Sequence, residues 1–497
     1  MKYLIAFSAS LVLTACGGGG TDSVSLNQLE NVPNLAAQMQ AENISVAPHF
    51  HRMPLQISAP SDIDRDGQGL SAFMSPRKIN TLEDFHELGT GGLTDDGVSN
   101  FRMKRRQFGS LPTPIPNASS TTSIVYTPAQ IRSAYNMQAL NNESSMNKGA
   151  GQTIYIVDAY HHPKVLDDLN KFSNTFGLPG CSLQAIATTA SVLPPPSLTE
   201  CKLSVIYSTS KGGMTTKVPK YDVGWAQEIA LDTQWVHAIA PLARIVLIES
   251  ASATISELGG AIKLANKLGP GVVSMSFSAS EGAWVTQAAY TTQLFSTSNM
   301  TYLAATGDNG TAVGWPAVVP SVMAVGGTSL NYDVNSRSEK AWTGSGGGIS
   351  KYVKAPSFQA AITIPKITTL KYRAVSDVSM VADPATGVYV YFTAQKATTT
   401  ALYQFGGTSL STPIWAGLFS LVNASRLAQS YSHLGDPHLK LYQMATSAGL
   451  YTSNFFDVST GFNGTCTSCY SIAGYDTPTG LGTPNNSNLL LYLSNLI

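Results

Sequence analysis

The stretch Phe405-Gly406-Gly407-Thr408-Ser409-Leu410-Ser411-Thr412-Pro413 puts a serine between a two-glycine turn and an amphipathic helix that runs to Asn423. Paired glycines let a backbone turn sharply and approach a ligand closely. The positive end of the helix dipole then favours a nascent alkoxide on Ser409. Pro413 fits the first helical turn, where a missing N–H costs little. A plain serine N-cap explains the same letters, so a base has to be found. Eight histidines are present, but none stands in a His-Gly-Thr-His setting. Glu228 and Asp232 are better candidates, because residues i and i+4 share one helix face. Two anions that close repel, so one is expected to hold a proton at a raised pKa, and such a pair can accept the serine proton. The flanking Trp225, Ile229, Leu231, Trp235 and Ile239 argue against a solvated surface pair. Asp308 in Ala305-Thr306-Gly307-Asp308-Asn309-Gly310 and Asp158 in Ile156-Val157-Asp158 each follow an apolar run, where a turn aspartate and a functional one look alike.

These residues need elements to bring them together. Ile154–Val157, Ile245–Ile248, Val272–Phe277 and Tyr302–Ala305 read as short strands buried on both faces. Helices are expected at 165–176, 225–239, 256–267 and 409–424. The alternation implies an α/β fold with a doubly wound, mostly parallel sheet flanked by helices. Functional residues in such folds gather at the carboxyl ends of the strands, which is where Asp158 and Asp308 fall.

The 497 residues suit one large α/β domain with a leader. Thirty basic residues balance thirty acidic ones, which excludes the basic surplus of a nucleic-acid binder. Charged residues make up 12%, about half the usual share, and hint at an extracytoplasmic protein. Lys2 and the apolar run Tyr3–Leu13 form a segment too short to span a membrane. That run ends in Leu13-Thr14-Ala15-Cys16 and a glycine tether, similar to the lipobox of bacterial lipoproteins, with Cys16 as the lipidated residue. Residues 1–15 are then a signal peptide, 16–122 a tether and leader or short propeptide, and 123–497 the main domain. Within the leader, Arg102–Arg106 reads as a solvated basic patch and Pro112–Ser120 as a linker. Four further cysteines are expected to pair locally, Cys181 with Cys201 and Cys466 with Cys469. Half a zinc site or a redox pair are the other readings of Cys466-x-x-Cys469.

Taken together, the segments resemble the sedolisin family of serine-carboxyl peptidases, which has a subtilisin-like fold. The family's Glu…Asp…Asp…Ser order is matched by Glu228, Asp232, Asp308 and Ser409. The likeness runs from Tyr126-Thr127-Pro128-Ala129-Gln130-Ile131 through Trp315-Pro316-Ala317, Ala324–Thr328, Ser345–Ser350, Pro356–Gln359 and Asp377-Val378-Ser379 to Gly480–Asn485. One departure lies in Ser274-Met275-Ser276-Phe277-Ser278-Ala279-Ser280-Glu281. Phe277 and Ser278 stand where the family has Trp or Tyr and then Gly, so a different substrate cleft is expected.

The resemblance implies that Ser409 attacks a peptide carbonyl and that Glu228 is general base and then acid. Asp232 shares the Glu228 proton, neutral Asp308 donates to the oxyanion, and Asp158 supports the network. An ordinary aspartate is only about one-thousandth protonated at pH 7. Asp308 must therefore have a raised pKa or work in acid, and an acidic optimum is expected. Phe456–Gly461 and Ala473–Asp476 match the family's calcium loops, implying one structural Ca²⁺ on Asp457, Val458, Ile472, Gly474 and Asp476. The expected function is an acid-acting endopeptidase on polypeptide substrates, a monomer anchored by its lipid to the outer membrane or released by processing near residues 105–125. An inactive subtilisin-fold binding scaffold at the cell envelope is the alternative. A serine esterase fits less well, because Ser411 replaces the last glycine of G-x-S-x-G.

Overall fold

The computed structural model describes residues 41–60, 77–80, 122–137, 144–333, 336–365, 367–485 and 487–496. Cys16, the basic patch at 102–106 and the linker at 112–120 lie outside them. The chain opens with β1 (Ala47–Pro48), β2 (His51–Gln56), β3 (Arg77–Asn80) and β4 (Thr122–Val125). A central sheet follows: β5 (Thr153–Ala159), β6 (Cys181–Leu183), β7 (Cys201–Ser208), β8 (Met214–Thr215), β9 (Arg244–Ser250) and β10 (Gly271–Met275). Then come β11 (Phe277–Ser280), β12 (Met300–Ala305), β13 (Gly314–Trp315), β14 (Met323–Asp333) and β15 (Ser336–Ala341). Further on lie β16 (Gly348–Lys354), β17 (Tyr372–Val375), β18 (Val378–Val381), β19 (Val388–Phe392) and β20 (Ala401–Gly406). The helices used below are α1 (Pro128–Ala134), α2 (Val165–Phe176), α3 (Val223–Ile239), α4 (Ile255–Leu268), α5 (Thr408–Ala428), α6 (His438–Ala445) and α7 (Ala448–Asn454).

All seven residues of β5 are buried, as are all seven of β9, so neither strand has a solvent face. Both therefore sit in the middle of a ten-stranded sheet whose path is β15-β14-β12-β10-β5-β9-β7-β6, with β18 paired to β14 and β8 to β7 off that path. Pairing from β14 through β6 is parallel, and only the flanking β15 and β8 run antiparallel. Alternate side chains go to opposite faces. Ile154, Ile156, Ile245 and Leu247 pack with α2, α3 and α5, while Tyr155, Val157, Val246 and Ile248 pack with α4. This is the doubly wound arrangement expected from the sequence, and the four expected helices fall at α2, α3, α4 and α5.

Two details differ. α5 has no polar face, since Thr408 through Ala424 are all buried, and Pro413 lies inside the helix rather than in its first turn. The leader is also not wholly irregular. β1 pairs with β11, β2 with β20, and β3 with β4, all antiparallel. These strands are two to six residues long, too short for their sequence to show a period.

Candidate active site

Ser409 is the second residue of α5, after the helix cap Gly407. Gly407 has φ 114°, and a Cβ there would stand 2.4 Å from the His49 carbonyl oxygen and 2.7 Å from Asp308 Oδ2, so glycine is required on both counts. Because Pro413 has no N–H, the Ser409 carbonyl loses its helical donor. Ser276, just past β10, lies beside it: its hydroxyl is 3.4 Å from that carbonyl, but its shorter contact is the donation to Asp232 Oδ1 at 2.8 Å. The Ser409 hydroxyl donates to the Ser276 carbonyl at 3.1 Å.

α3 runs through the interior, with every residue from Trp225 to Ile239 buried. It carries Glu228 and Asp232 to the foot of α5. Both Glu228 oxygens, both Asp158 oxygens and Asp232 Oδ2 are buried without a hydrogen-bond partner. Burial, then the charges of Asp232 and Asp158, push the Glu228 carboxyl well up, while the nearby Ser409 hydroxyl opposes this. Burial and Asp158 likewise raise Asp232, against the pull of Ser276. Burial and the charge of Glu249 raise Asp158. Buried carboxyls whose charges raise one another in this way share protons rather than all ionise. Glu249, at the end of β9, was not singled out from the sequence. Burial raises it, partly offset by His161, whose Nδ1 lies 2.7 Å away, and by the His162 N–H at 3.1 Å.

Asp308 follows β12. Its Oδ1 accepts from the Thr408 N–H and hydroxyl, each at 2.8 Å, and its Oδ2 lies 3.2 Å from His51 Nε2. Burial would raise this carboxyl, but the contact and charge of His51, the charge of His49 and the Thr408 N–H together hold it below the ordinary range. Of the two routes to a neutral Asp308, a raised pKa or work in acid, this arrangement fits the second. The histidine of the leader that faces Asp308 thus favours its charged form.

His49 and His51 are the functional neighbours that sequence reasoning missed. The Ser409 N–H donates to the His49 carbonyl at 3.0 Å, and the His49 N–H lies 3.1 Å from Ser409 Oγ. The His49 ring turns away from the nucleophile and meets Ser278 Oγ at 2.7 Å, so it is no base for Ser409.

No protein-family model matches the chain. Sedolisin from Pseudomonas sp. (strain 101) is 32% identical over 197 residues, covering 37% of this chain and 30% of that protein. Tripeptidyl-peptidase 1 from Homo sapiens is 34% identical over 200 residues, covering 36% of this chain and 33% of that protein. The chain thus spans about a third of the length of these curated relatives. A solved structure of Pseudomonas sedolisin, a serine-carboxyl proteinase complexed with pseudo-iodotyrostatin, superposes with a TM-score of 0.58 at 25% identity. It covers 75% of this chain and 99% of the other. In sequence and in fold the chain is therefore similar to the sedolisins.

The loops compared with the sedolisin calcium site also converge. Asp457 accepts from the Gly474 N–H at 2.9 Å and from Tyr451 of α7 at 3.2 Å. Asp476 accepts from the Ile472 N–H at 3.0 Å and twice from Thr479 at 2.8 Å. Tyr451 also reaches the Gly474 carbonyl at 3.4 Å, and Thr479 the Val458 carbonyl at 3.5 Å. Burial raises Asp476 to about 7, with the charge of Asp457 adding to the effect. Two mutually repelling carboxylates with carbonyls and no nitrogen or sulfur ligand are a donor set that fits a hard divalent cation. Disulfides join Cys181 to Cys201 and Cys466 to Cys469, the latter between the two loops. His237 lies beside the first disulfide, whose sulfurs are thereby unavailable as thiolate ligands. Among the described residues no helix is long and apolar enough to cross a membrane.

Proposed function

We propose that this chain is a serine-type endopeptidase that hydrolyses polypeptides in acid. The observation that carries the reading is a serine hydroxyl set over buried carboxylates that have no hydrogen-bond partner. Ser409 attacks the scissile carbonyl, and its proton passes to Glu228, which later protonates the leaving amine. Asp232 shares the Glu228 proton, and Asp158 keeps that pair from ionising twice. The Ser409 N–H and protonated Asp308 stabilise the oxyanion. Asp308 donates only when neutral, so activity rises as pH falls through its pKa. The test is kcat/KM on denatured casein from pH 3 to 8, with Ser409→Ala as control. A maximum above pH 7 would sink the mechanism.

Cleavage inside chains rather than from an end is supported by the leader. It passes over Ser409 with residues described on both sides, and the Val46 N–H is already held by Ala253 at 2.8 Å. With the His49 carbonyl on the Ser409 N–H, a cleft closed beyond the third residue back, Ala47, would leave no place for Val46.

Asp457 and Asp476, with carbonyls of Val458, Ile472 and Gly474, would hold one Ca²⁺ that ties the two loops together. EDTA is expected to lower Tm, and an unchanged Tm counts against the site. Lipidation of Cys16, which would anchor the monomer at the outer membrane, is supported by the Leu13–Cys16 box. Cys16→Ala is expected to move the uncleaved chain from the membrane fraction to the soluble one.

A further inference from the structure

The leader does not merely cross the site; it lies there as a substrate would. On one side of Ser409, β1 pairs antiparallel with β11, Ala47 opposite Ser278 and Pro48 opposite Phe277. The His49 N–H also reaches the Ser276 carbonyl at 3.3 Å. On the other side, β2 pairs with β20, His51 opposite Gly406 and Arg52 opposite Phe405, and the Phe50 ring stacks on Phe405 at 5.6 Å. Main-chain pairing on both sides is how an extended peptide is held for recognition. Between the two, the His49 carbonyl oxygen takes the Ser409 N–H while Ser409 Oγ stands 3.1 Å from the His49 nitrogen. The His49 carbonyl is thus held on the main-chain N–H of the nucleophile's own residue, as a scissile carbonyl would be. Its ring is buried, bonded to Ser278 Oγ at 2.7 Å, and its Cε1 would lie 3.5 Å from a Cβ on Gly307.

We propose that the His49–Phe50 peptide bond is the one this chain cuts in itself, and that Ser278 selects histidine immediately before the cut. The proposal rests on the peptidase reading above. Ser409 Oγ adds to the His49 carbonyl carbon as its proton passes to Glu228. The bond from His49 C to Phe50 N breaks as that proton reaches the Phe50 nitrogen. Water then hydrolyses the ester, leaving a carboxylate on His49 and a free amine on Phe50, with one water consumed and no redox change.

The full chain, incubated at pH 4 and followed by mass spectrometry, tests the cut, with casein hydrolysis read in parallel and Ser409→Ala as the uncut reference. A species beginning at Phe50 that forms first, and forms only with Ser409 intact, is the expected result. Casein hydrolysis with the 49–50 bond intact, or a first cut elsewhere such as within 105–125, overturns the proposal and leaves the peptidase reading standing. Loss of both activities overturns the reading and the proposal with it. A synthetic peptide of residues 43–56 tests the selection without relying on self-cleavage. Replacing its histidine before the cut by alanine should lower kcat/KM about tenfold, the worth of one good hydrogen bond. The His-to-Ala ratio should collapse towards one in Ser278→Ala. A ratio that Ser278→Ala leaves unchanged removes Ser278 from the role.

Discussion

Burial lifts Glu228 while His51 holds Asp308 down, and the two carboxyls therefore respond differently to substitution. On the proposed mechanism Ser409→Ala and Glu228→Gln each remove a group of the chemical step, so kcat should fall by about 10³ or more with KM within about threefold. If Asp308 is the proposed oxyanion donor, Asp308→Ala should cost about 10² to 10³ in kcat. His51→Ala takes away the group that keeps Asp308 charged. Desolvation then dominates, the neutral form persists to higher pH, and the first self-cut should begin about one pH unit higher. A time course of N-terminal mass spectra between pH 3 and 7 reads that onset; an onset that stays put would detach Asp308 from the cut. Glu228, Asp232, Asp308 and Ser409 were legible in the sequence because each carries a local mark: a helical spacing, a strand end or a glycine turn. His49 and His51 carry none. His49 meets its partner 360 residues away, and nothing local to Ala47-Pro48-His49-Phe50-His51 encodes that meeting. Glu249 was hidden for a related reason, since its neighbours are set by the strand order of the folded sheet.

Elements impose a second kind of constraint. The parallel strands were readable because burial on both faces leaves continuous apolar runs, and the helices because their spacing is regular. β1 and β2 were not, because two to six residues on another sheet's edge need no hydrophobic period. α5 misled in a different way. The serine-rich start suggests a polar face, yet Ser409, Ser411 and Thr412 are all buried, and Ser411 satisfies its hydroxyl on the carbonyls of Met380 and Val381 at 3.0 Å. At the far side of the sheet, β6 has only three residues and pairs Cys181 directly opposite Cys201 of β7. A disulfide closing a loop of separation 20 restricts the unfolded chain by about 3 kcal/mol in the loop-entropy account. Cys181→Ser with Cys201→Ser should lower the unfolding free energy by that order, read from denaturant titrations on the Ser409→Ala background so that self-cleavage does not intervene. Activity on peptides should persist when the same pair is changed in the wild type, because β6 is remote from Ser409 in the strand order.

At the scale of the molecule, the even balance of thirty acids and thirty bases describes neutral pH only. Several buried groups lie far from their ordinary values, and they pull stability in different directions. Burial opposes the charge on His438 of α6, but Asp377 and Asp436 raise it to about 9, so its contribution is full below the ordinary histidine range and lost as pH rises through about 9. Burial lowers His237 to about 4, so it binds fewer protons folded than unfolded and costs stability as pH falls from about 6.5 to about 4. The carboxyl cluster works the other way. Glu228 on α3 is faced by Asp232 of the same helix, Asp158 of β5, Asp308 after β12 and the Ser409 hydroxyl, and its raised pKa means the folded chain binds the proton more tightly. Its stabilising effect is complete below the ordinary carboxylate pKa and is lost as pH rises through the folded value. Glu228→Gln in a Ser409→Ala background replaces that titrating group by a neutral one of the same shape. Each unit of upward shift is worth about 1.4 kcal/mol at pH values above the folded pKa. The variant should therefore melt about 1–3 °C higher than its parent near pH 7, with the difference shrinking towards zero near pH 4. Melting curves of the two proteins across that range measure it, and because His237 and His438 are common to both, their opposing effects cancel in the difference. A gap that does not change with pH would mean that Glu228 holds the same protonation in the folded and unfolded chains, and the shared-proton picture of the site would fall with it.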